Sequence, residues 1–356
     1  MQDQLAWQRR YGWLLAPPGA AWGLVMRLRA ALGRMGLPPG WQCPAICLGV
    51  SGMAPGDCGQ MLVSAWLLGW AEAKGLTTAL IANPGTVKPP HMPFTVEPSA
   101  QVGQASPSPL LLARYRPKTL VLVDANPVRA GKAAWKDRHP DLIILYNHFS
   151  SLGLSNRSDL VLFTAEDLDH GWNRPFPAGL WRESAQALNR AKAFVLHMTP
   201  QDWQRHKNLA ERRLARFGKP VFTVSPRIWR LRRIPDGLTA QDLGAEPYIL
   251  VSTDSQQDMT AKAAQAFLKA PARFTVIFPD NYRPTRQDAS GLAEEAKRFK
   301  CPHILASPQL SLFLPSFSGQ NLWSFDPEVV FGPGLDPGLG FASWWDGQWS
   351  AQPGGQ

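Results

Sequence analysis

The chain has 356 residues, of which 45% are hydrophobic and 18% charged, a balance that excludes a disordered protein and allows two domains. Its formal net charge of +10 predicts an anionic partner, and because no basic run is long enough to indicate nucleic acid, a membrane surface carrying acidic lipid is favoured. The four cysteines show neither the density of a disulfide scaffold nor zinc-site spacing, which favours a reducing cytoplasm.

The first predicted element is an amphipathic helix within residues 1–40. Pro17 and Pro18 indicate its start, and it runs to about Met35. Its apolar residues lie at 21, 24, 25, 28 and 32, and arginines at 27, 29 and 34 flank that face. The pattern predicts a helix in a membrane interface, too short and too charged to span a bilayer. Packing of the same face on the protein's own core is an equal alternative.

Residues 46–68 are predicted to form a strand, a glycine-bearing loop and a helix, which is the order of a phosphate-binding loop. Glycine lets backbone N–H groups turn toward phosphate oxygens, and the helix offers its positive N-terminal end. The loop glycines are Gly49, Gly52, Gly56 and Gly59. Where G-K-[ST] would stand, Gln60 and Met61 follow Gly59, so the phosphate-binding lysine and the Mg²⁺-binding hydroxyl are missing. An ordinary strand-to-helix turn is the competing interpretation.

From residue 42 to about residue 196, apolar strands alternate with helices, which predicts a mostly parallel sheet covered on both faces. These strands are predicted at 45–50, 78–82, 119–123, 142–146, 159–163 and 193–197, and the helices at 61–74, 127–137 and 184–191. After a basic link from Pro226 to Pro235, a smaller α/β unit has strands near 248–252, 273–278 and 303–306 and helices near 259–269 and 286–299.

The predicted organisation is a helix over 1–40, a P-loop-like α/β domain over 41–235, a second α/β domain over 236–331 and a tail over 332–356. The tail is rich in Gly, Pro and Trp and shows no period. Its tryptophans are predicted either to dock on lipid or a partner or to be partly buried in a flexible tail; they are Trp344, Trp345 and Trp349.

Three polar residues follow predicted strands and are candidates for binding or catalysis. Asp124 and Asn126 stand where open α/β sheets bind ligands, although a capping role explains them equally well. His148 is a candidate general base, but no Ser, Cys or carboxylate partner is implied nearby, so a loop histidine is favoured.

The order of these segments resembles the tetraacyldisaccharide 4′-kinase family, the lipid A kinases of Gram-negative bacteria, over roughly residues 10–330. The segment from Gly59 to Gly75 is similar to the family's G-K-T-P and the helix that follows it. Residues 109–113 resemble the end of G-D-E-P-L-L-L-A, residues 177–183 resemble P-A-G-P-L-R-E, and residues 278–283 resemble F-P-D-H-H-R-Y.

The resemblance implies a P-loop-NTPase-like fold with ATP and Mg²⁺ as cofactors, on the cytoplasmic face of the inner membrane as a peripheral protein. The family reaction is phosphorylation of the 4′-hydroxyl of a tetraacyl glucosamine disaccharide 1-phosphate, a lipid A precursor. It implies a nucleotide loop made of Gly52, Gly56, Gly59, Gln60 and Met61. It also implies a substrate region made of Arg182, Glu183, Asp280 and Arg283.

The departures from the family pattern fall on the residues that would carry the chemistry. Acidic and histidine positions are occupied by Pro107, Asn147 and Asn281, and glutamine stands for lysine at 60 and 309. Because phosphoryl transfer depends on Mg²⁺ and cations around a developing negative charge, these departures predict lost or much reduced activity and no intact metal ligand set. Two interpretations stay open: a weak or altered kinase, and a non-catalytic paralogue that binds lipid or a partner protein.

Overall fold

The computed structural model describes residues 15–35, 40–151, 153–234, 236–280, 282–315 and 319–351. Within these ranges one 13-stranded sheet runs through the molecule in the order β11-β10-β12-β13-β8-β7-β6-β1-β5-β2-β4-β3, with β9 beside β8. The strands are β1 (Ile46–Gly52), β2 (Thr78–Ala82), β3 (Phe94–Thr95), β4 (Leu120–Val123), β5 (Leu142–Tyr146), β6 (Arg157–Phe163), β7 (Ala191–His197), β8 (Val221–Ile234), β9 (Thr239–Ala240), β10 (Tyr248–Thr253), β11 (Ala272–Phe278), β12 (His303–Ala306) and β13 (Asn321–Gly332).

The described helices are α1 (Ala16–Arg34), α2 (Gln60–Ala73), α3 (Pro107–Tyr115), α4 (Pro127–Arg138), α5 (Ala165–Leu168), α6 (Pro200–Leu214), α7 (Gln257–Phe267), α8 (Arg286–Arg298), α9 (Pro308–Ser311) and α10 (Phe341–Ser350). Short 3₁₀ segments lie at Ala185–Arg190 and Ala215–Phe217. No helix in the described ranges is long and apolar enough to cross a membrane.

Both faces of the sheet are covered, which explains the continuous apolar runs of its central strands. On β1, Leu48 and Val50 pack into a core with α2, α3 and α10. Cys47 points to the opposite face, into a core that includes Ala130 and Ala134 of α4. The prediction of a mixed α/β fold with a large, mostly parallel sheet is confirmed.

Most predicted elements lie within two residues of their observed bounds. The segment predicted as a helix over 184–191 is a 3₁₀ segment instead, Ala185–Arg190. The clearest error is the predicted link from Pro226 to Pro235, because residues 226–234 belong to β8. This strand pairs antiparallel with β13 from Thr223 to Ile234, while its start pairs parallel with β7, and so it joins the two halves of the sheet.

The second error concerns the end of the chain. Residues 341–350 form α10, in which Phe341, Trp344, Trp345 and Trp349 are buried. The three tryptophans follow Phe341 by three, four and eight residues, which is helical spacing. The prediction that this segment has no period is therefore wrong. The ring of Trp70 on α2 meets Trp345 at 5.6 Å and Trp349 at 5.2 Å between centroids.

Candidate functional site

The loop between β1 and α2 has the strand, loop and helix order predicted from the sequence. Gly56 and Gly59 take left-handed backbone conformations, with φ of 103° and 94°, which favour glycine. Gly52 ends β1 in a tight place, since a Cβ atom there would lie 2.7 Å from Cys58 Sγ and 2.8 Å from Gln60 Nε2. The three glycines therefore fit a loop that closes tightly on itself.

The resemblance places Gln60 at the position of the family lysine. Both polar atoms of its side-chain amide are engaged in hydrogen bonds to the loop and to Asn147. Its side chain is fully buried, and its Nε2 donates to the Gly56 carbonyl at 3.3 Å and to Asn147 Oδ1 at 3.2 Å. Its Oε1 accepts from the backbone N–H of Cys58. Gln60 thus ties the loop to the residue after β5, and it offers no charge toward the solvent side of the loop.

Asp57 fills the concave side of the same loop, and the sequence interpretation did not single it out. Its Oδ1 accepts from the backbone N–H groups of Gly59 at 3.0 Å and Met61 at 3.4 Å. Its Oδ2 accepts from the side-chain amides of Gln256 at 3.4 Å and Gln309 at 3.3 Å. The only advance signal was an acidic residue within a glycine-bearing loop.

The protonation of Asp57 reflects two opposing effects. Burial raises the pKa of Asp57 to about 6, while the backbone N–H groups of Met61, Gly59 and Gln60 pull this pKa down. The negative charge of Asp280 adds to the rise. At neutral pH the carboxylate is therefore mostly ionised, and its charge faces the N-terminal end of α2.

A cavity of about 320 Å³ opens beside the loop and is lined from both halves of the sheet. It lies at the carboxyl ends of the parallel strands, where open α/β sheets bind ligands. The residues predicted for the site that line it are Gly56, Pro107, Asn147, Arg182, Asp280 and Arg283. Asn281 lies outside the described residues. The fold therefore brings three of the four residues of the predicted substrate region to one place, together with Gly56 of the predicted nucleotide loop.

Two arginines give this cavity a positive side. Among the residues that the structure describes, neither Arg182 nor Arg283 lies within ion-pair distance of a carboxylate. The Arg182 guanidinium is partly shielded from water, and this burial lowers its pKa. A desolvated cation without a protein counter-ion fits an anionic group of a ligand.

Asp280 provides an acceptor in the same cavity. Its Oδ1 accepts from the backbone N–H of Ser255 at 3.2 Å and from Ser255 Oγ at 2.8 Å. Its Oδ2 is buried and has no hydrogen-bond partner within the described part of the chain. The free oxygen is thus placed to meet a donor on a bound molecule.

Glu183, predicted for the substrate region, does not line this cavity. Its carboxylate is buried and accepts two hydrogen bonds from Arg190, at 2.8 and 3.0 Å. The Arg190 guanidinium also lies over the Phe149 ring, 4.4 Å from its centroid. The pair holds two segments of the first half together, which is a structural role.

Asp124, Asn126 and His148 also have structural partners instead of an open site. Asp124 is buried and makes a bidentate ion pair with Arg129, both hydrogen bonds being 2.7 Å long. The Asn126 side chain caps α4. His148 is buried with its Nδ1 3.0 Å from Ser151 Oγ, and burial lowers its pKa to about 4. The capping and loop interpretations fit these contacts.

The site residues do not fit Mg²⁺-ATP. Met61 has no hydroxyl, Gln60 has no charge, and the backbone N–H groups of Gly59 and Met61 already donate to the carboxylate of Asp57. Within the described ranges, no three His, Cys, Asp or Glu side chains converge closely enough to hold a metal ion. The loop therefore offers neither the cation nor the hydroxyl that P-loop proteins use to hold phosphate and Mg²⁺.

Comparison with known proteins gives a single family. Residues 11–306 match the model of the LpxK family, described as tetraacyldisaccharide-1-P 4′-kinase. The chain is 32% identical to the tetraacyldisaccharide 4′-kinase of Nitratidesulfovibrio vulgaris over 338 residues, which cover 95% of this chain and 94% of the relative. The corresponding enzyme of Oleidesulfovibrio alaskensis is 31% identical over 346 residues, covering 94% of this chain and 95% of the relative.

A solved structure supports the same fold. It is the "apo" form of LpxK from Aquifex aeolicus, in complex with ATP according to its description. The two structures share 19% sequence identity, with a TM-score of 0.66 over 90% of this chain and 95% of that one. At this identity the likeness concerns the fold alone.

Proposed function

The chain belongs to the tetraacyldisaccharide 4′-kinase family of lipid A biosynthesis, and we propose that in this protein the kinase activity is lost or much reduced. The observation that carries the proposal is the state of the β1–α2 loop. Gln60 is buried and bonded to Gly56 and Asn147, so the position of the family lysine supplies no cation. Met61 leaves the metal without its hydroxyl ligand.

The size of the effect follows from charge-assisted contacts. Each such contact that is lost removes on the order of 1.5–3 kcal/mol, so two or three together weaken Mg²⁺-ATP binding by several powers of ten. The groups around a transferring phosphoryl act as a unit, and their effects are not additive. A single reversion, Gln60→Lys, is therefore expected to restore no activity, because Met61 and Asn147 still leave Mg²⁺ without ligands.

The test is a direct kinase assay with labelled ATP and the tetraacyl disaccharide 1-phosphate, together with complementation of a conditional lipid A kinase mutant. We expect no product and no growth from the unmodified protein or from Gln60→Lys. The Nitratidesulfovibrio vulgaris relative serves as the control for acceptor and assay. Product formed by the unmodified protein would overturn the proposal, and Asp280→Asn would then ask whether its free carboxylate oxygen has taken over a catalytic role.

The cavity supports a retained affinity for the lipid A precursor. Arg182 and Arg283 are cations that line the cavity without ion-pair partners in the described chain, and the acceptor carries a phosphate. We therefore assign these two arginines to the anionic group of the substrate and Asp280 to a sugar hydroxyl. The role that follows for a protein without catalysis is a lipid-binding module, and a protein-binding module at the membrane is the second candidate.

The helix α1 favours a location on an anionic membrane surface. Trp22, Leu24, Val25, Leu28 and Leu32 are exposed by between 41% and 62%. Leu24, Val25 and Leu28 are more than half exposed and so do not pack on the protein's own core, which was the alternative for this face, whereas the Trp22 indole donates to the Arg182 carbonyl at 3.1 Å. An exposed apolar face beside the exposed cation of Arg29 is the composition of a helix that lies in a lipid interface.

A further inference from the structure

We propose that the Asp57 carboxylate occupies the position at the start of α2 that a nucleotide phosphate would take, so that the protein's own side chain competes with polyphosphate ligands. The inference rests on the proposed function in one respect, because both assign the β1–α2 loop as the phosphate region. It goes further by naming a residue that fills this region. Removing its carboxylate is then expected to uncover an anion site.

The Asp57 carboxylate meets backbone donors at the N-terminal end of α2. Its Oδ1 accepts from the N–H group of Gly59, the residue before the helix, at 3.0 Å and from that of Met61, in the first turn, at 3.4 Å. Backbone N–H groups at the N-terminus of a helix after a glycine-bearing loop are the donors that hold a phosphate in P-loop proteins. The carboxylate satisfies them within the chain.

The Asp57 contacts go beyond ordinary helix capping. Capping needs only one side-chain oxygen for the helix N–H groups. Here Oδ2 accepts from Gln256 at 3.4 Å and Gln309 at 3.3 Å, two side chains from the far half of the sheet. Donors thus surround the carboxylate from both sides, as they would surround a bound anion.

The charges around Asp57 are matched to a single carboxylate. The family resemblance places lysines at positions 60 and 309, where this chain has Gln60 and Gln309. Gln309 donates directly to Asp57, while Gln60 closes the loop behind it. Neutral amides are sufficient for a single carboxylate, whereas a triphosphate needs cations. The two glutamines and the aspartate therefore form one self-contained set.

This set also explains why Gln60→Lys alone would fail. A lysine at 60 would leave in place the ionised carboxylate of Asp57, which already accepts from the N–H groups of Gly59 and Met61. The carboxylate has to be removed before any phosphate can reach these donors.

The experiment measures binding of sodium pyrophosphate and of Mg²⁺-ATP by calorimetry to the full chain and to three variants. Asp57→Ala removes the carboxylate, Asp57→Asn removes only its charge, and Asp258→Asn removes an exposed carboxylate beside the neighbouring cavity as the matched control. We expect Asp57→Ala to bind pyrophosphate about tenfold more tightly or better than the unmodified protein. Asp57→Asn should gain less, because its amide oxygen still fills the loop, and Asp258→Asn should gain nothing.

Hydrogen exchange at the amides of Gly59 and Met61 provides a second readout that does not depend on affinity. These amides should be protected in the unmodified protein without ligand, exchange faster in Asp57→Ala, and regain protection when pyrophosphate is added. If Asp57→Ala does not fold, judged by its melting transition, Asp57→Asn and the exchange of the unmodified protein decide the matter. Fast exchange of both amides in the unmodified protein would overturn the inference.

The outcomes separate this inference from the proposed function. If no form binds polyphosphate, the Asp57 inference is wrong while the loss of nucleotide binding stands. If the unmodified protein binds Mg²⁺-ATP tightly and Asp57→Ala binds no better, both are wrong. If the unmodified protein binds it and Asp57→Ala binds tenfold better, the proposed loss of function is wrong and the role of Asp57 stands.

Discussion

Gly49, in the middle of β1, shows how closely single residues are constrained around the loop. A Cβ atom at this position would overlap Oδ1 of Asp159 on the neighbouring strand. Asp159 cannot move aside easily, because its other oxygen accepts from Arg157 at 3.1 Å and the residue is buried. The glycine is therefore required by a side chain that crosses the strand.

We expect Gly49→Ala to lower the free energy of unfolding by about 1–3 kcal/mol, because the added methyl group overpacks a rigid site. Urea denaturation measures this change. Gly291→Ala is the matched control, since Gly291 lies within α8 with no atom near its Cβ position, and alanine there should stabilise the helix by up to about 1 kcal/mol. Equal stability of Gly49→Ala and the unmodified protein would show that Asp159 is free to shift.

Asp57 gives a prediction on pH. Because burial raises its pKa to about 6, above its ordinary value of 3.8, protonation of Asp57 favours the folded state. This contribution is present at low pH and is lost as the pH rises through about 6. The asparagine in the Asp57→Asn variant cannot titrate, so only the unmodified protein loses this contribution. The free energy of unfolding of the variant, minus that of the unmodified protein, should therefore rise by about 2 kcal/mol between roughly pH 4.5 and pH 7.5, at about 1.4 kcal/mol per pKa unit.

Chemical denaturation of both proteins across this range measures the difference. His148 and His197 have their pKa lowered to about 4 by burial, so their contribution is lost as the pH falls below about 6.5. Both proteins contain these histidines, and their contribution cancels in the difference. A difference that stays constant with pH would show that Asp57 has an ordinary pKa.

The sequence identified Gln60 and Met61 as departures from the family pattern but did not identify Asp57. The role of Asp57 depends on Gln256 and Gln309, which lie 199 and 252 residues further along the chain. No local pattern contains that information. Only the sheet, which brings the ends of β1, β10 and β12 to one edge, places these side chains together.

At the element scale, β8 shows why a strand was taken for a link. Its pairing with β13 shifts register between Asp326 and Pro327, so that Asp326 faces Arg230 while Pro327 faces Ile228. Buried residues therefore follow a spacing of three, from Ile228 to Leu231, instead of the spacing of two that identifies a strand. The basic residues that indicated a solvated link pair across the ladder, as in the 2.6 Å contact of Arg230 with Asp326.

The helix α10 is predicted to stabilise α2 and with it the loop. Trp345 is buried to 2% exposure against Trp70, and its Nε1 has no hydrogen-bond partner in the described chain. We expect Trp345→Ala to lower the free energy of unfolding by about 3–5 kcal/mol, through lost burial and the cavity left behind. Thermal or urea unfolding measures this, and Ser350→Ala, on the exposed side of α10, should change stability by less than about 0.5 kcal/mol.

A small effect of Trp345→Ala would mean that the end of the chain is the detachable tail predicted from composition. The sequence held the evidence against that interpretation, because buried aromatic residues at 341, 344, 345 and 349 follow the helical period. The segment before α10 is rich in glycine and proline, and that composition led to the prediction of an irregular tail. The helical spacing of the aromatic residues covers only nine positions and was therefore overlooked.

At the scale of the whole molecule, the alternation of strands and helices was sufficient to predict a large parallel sheet, but not its continuity. The antiparallel β8–β13 ladder joins both halves, and the cavity takes residues from each of them. The division into domains at residues 235 and 331 stays a prediction. A ladder formed by segments about a hundred residues apart leaves no local signal in either of them.

One face of α1 packs on the rest of the protein, here called the body, and the opposite face is exposed. Gly19, Gly23 and Met26 lie on the face that is buried, and Gly19 comes so close to the body that a Cβ atom there would lie 3.1 Å from Ala178. At 100° per residue, Leu24 and Leu28 point to the opposite side of the helix. The helix is thus held by one face while its apolar stripe faces outward.

We expect the protein to co-sediment with vesicles that contain anionic phospholipid, and binding should fall as salt screens the arginines of α1. The double variant Leu24→Glu, Leu28→Glu should reduce binding tenfold or more, since each buried leucine contributes about 1.5–3 kcal/mol. Leu238→Glu replaces an exposed leucine far along the chain and is the matched control. Because neither leucine on α1 packs on the body, the double variant should melt at the same temperature as the unmodified protein. Undiminished vesicle binding by a stably folded double variant would show that another surface of this basic protein contacts the lipid.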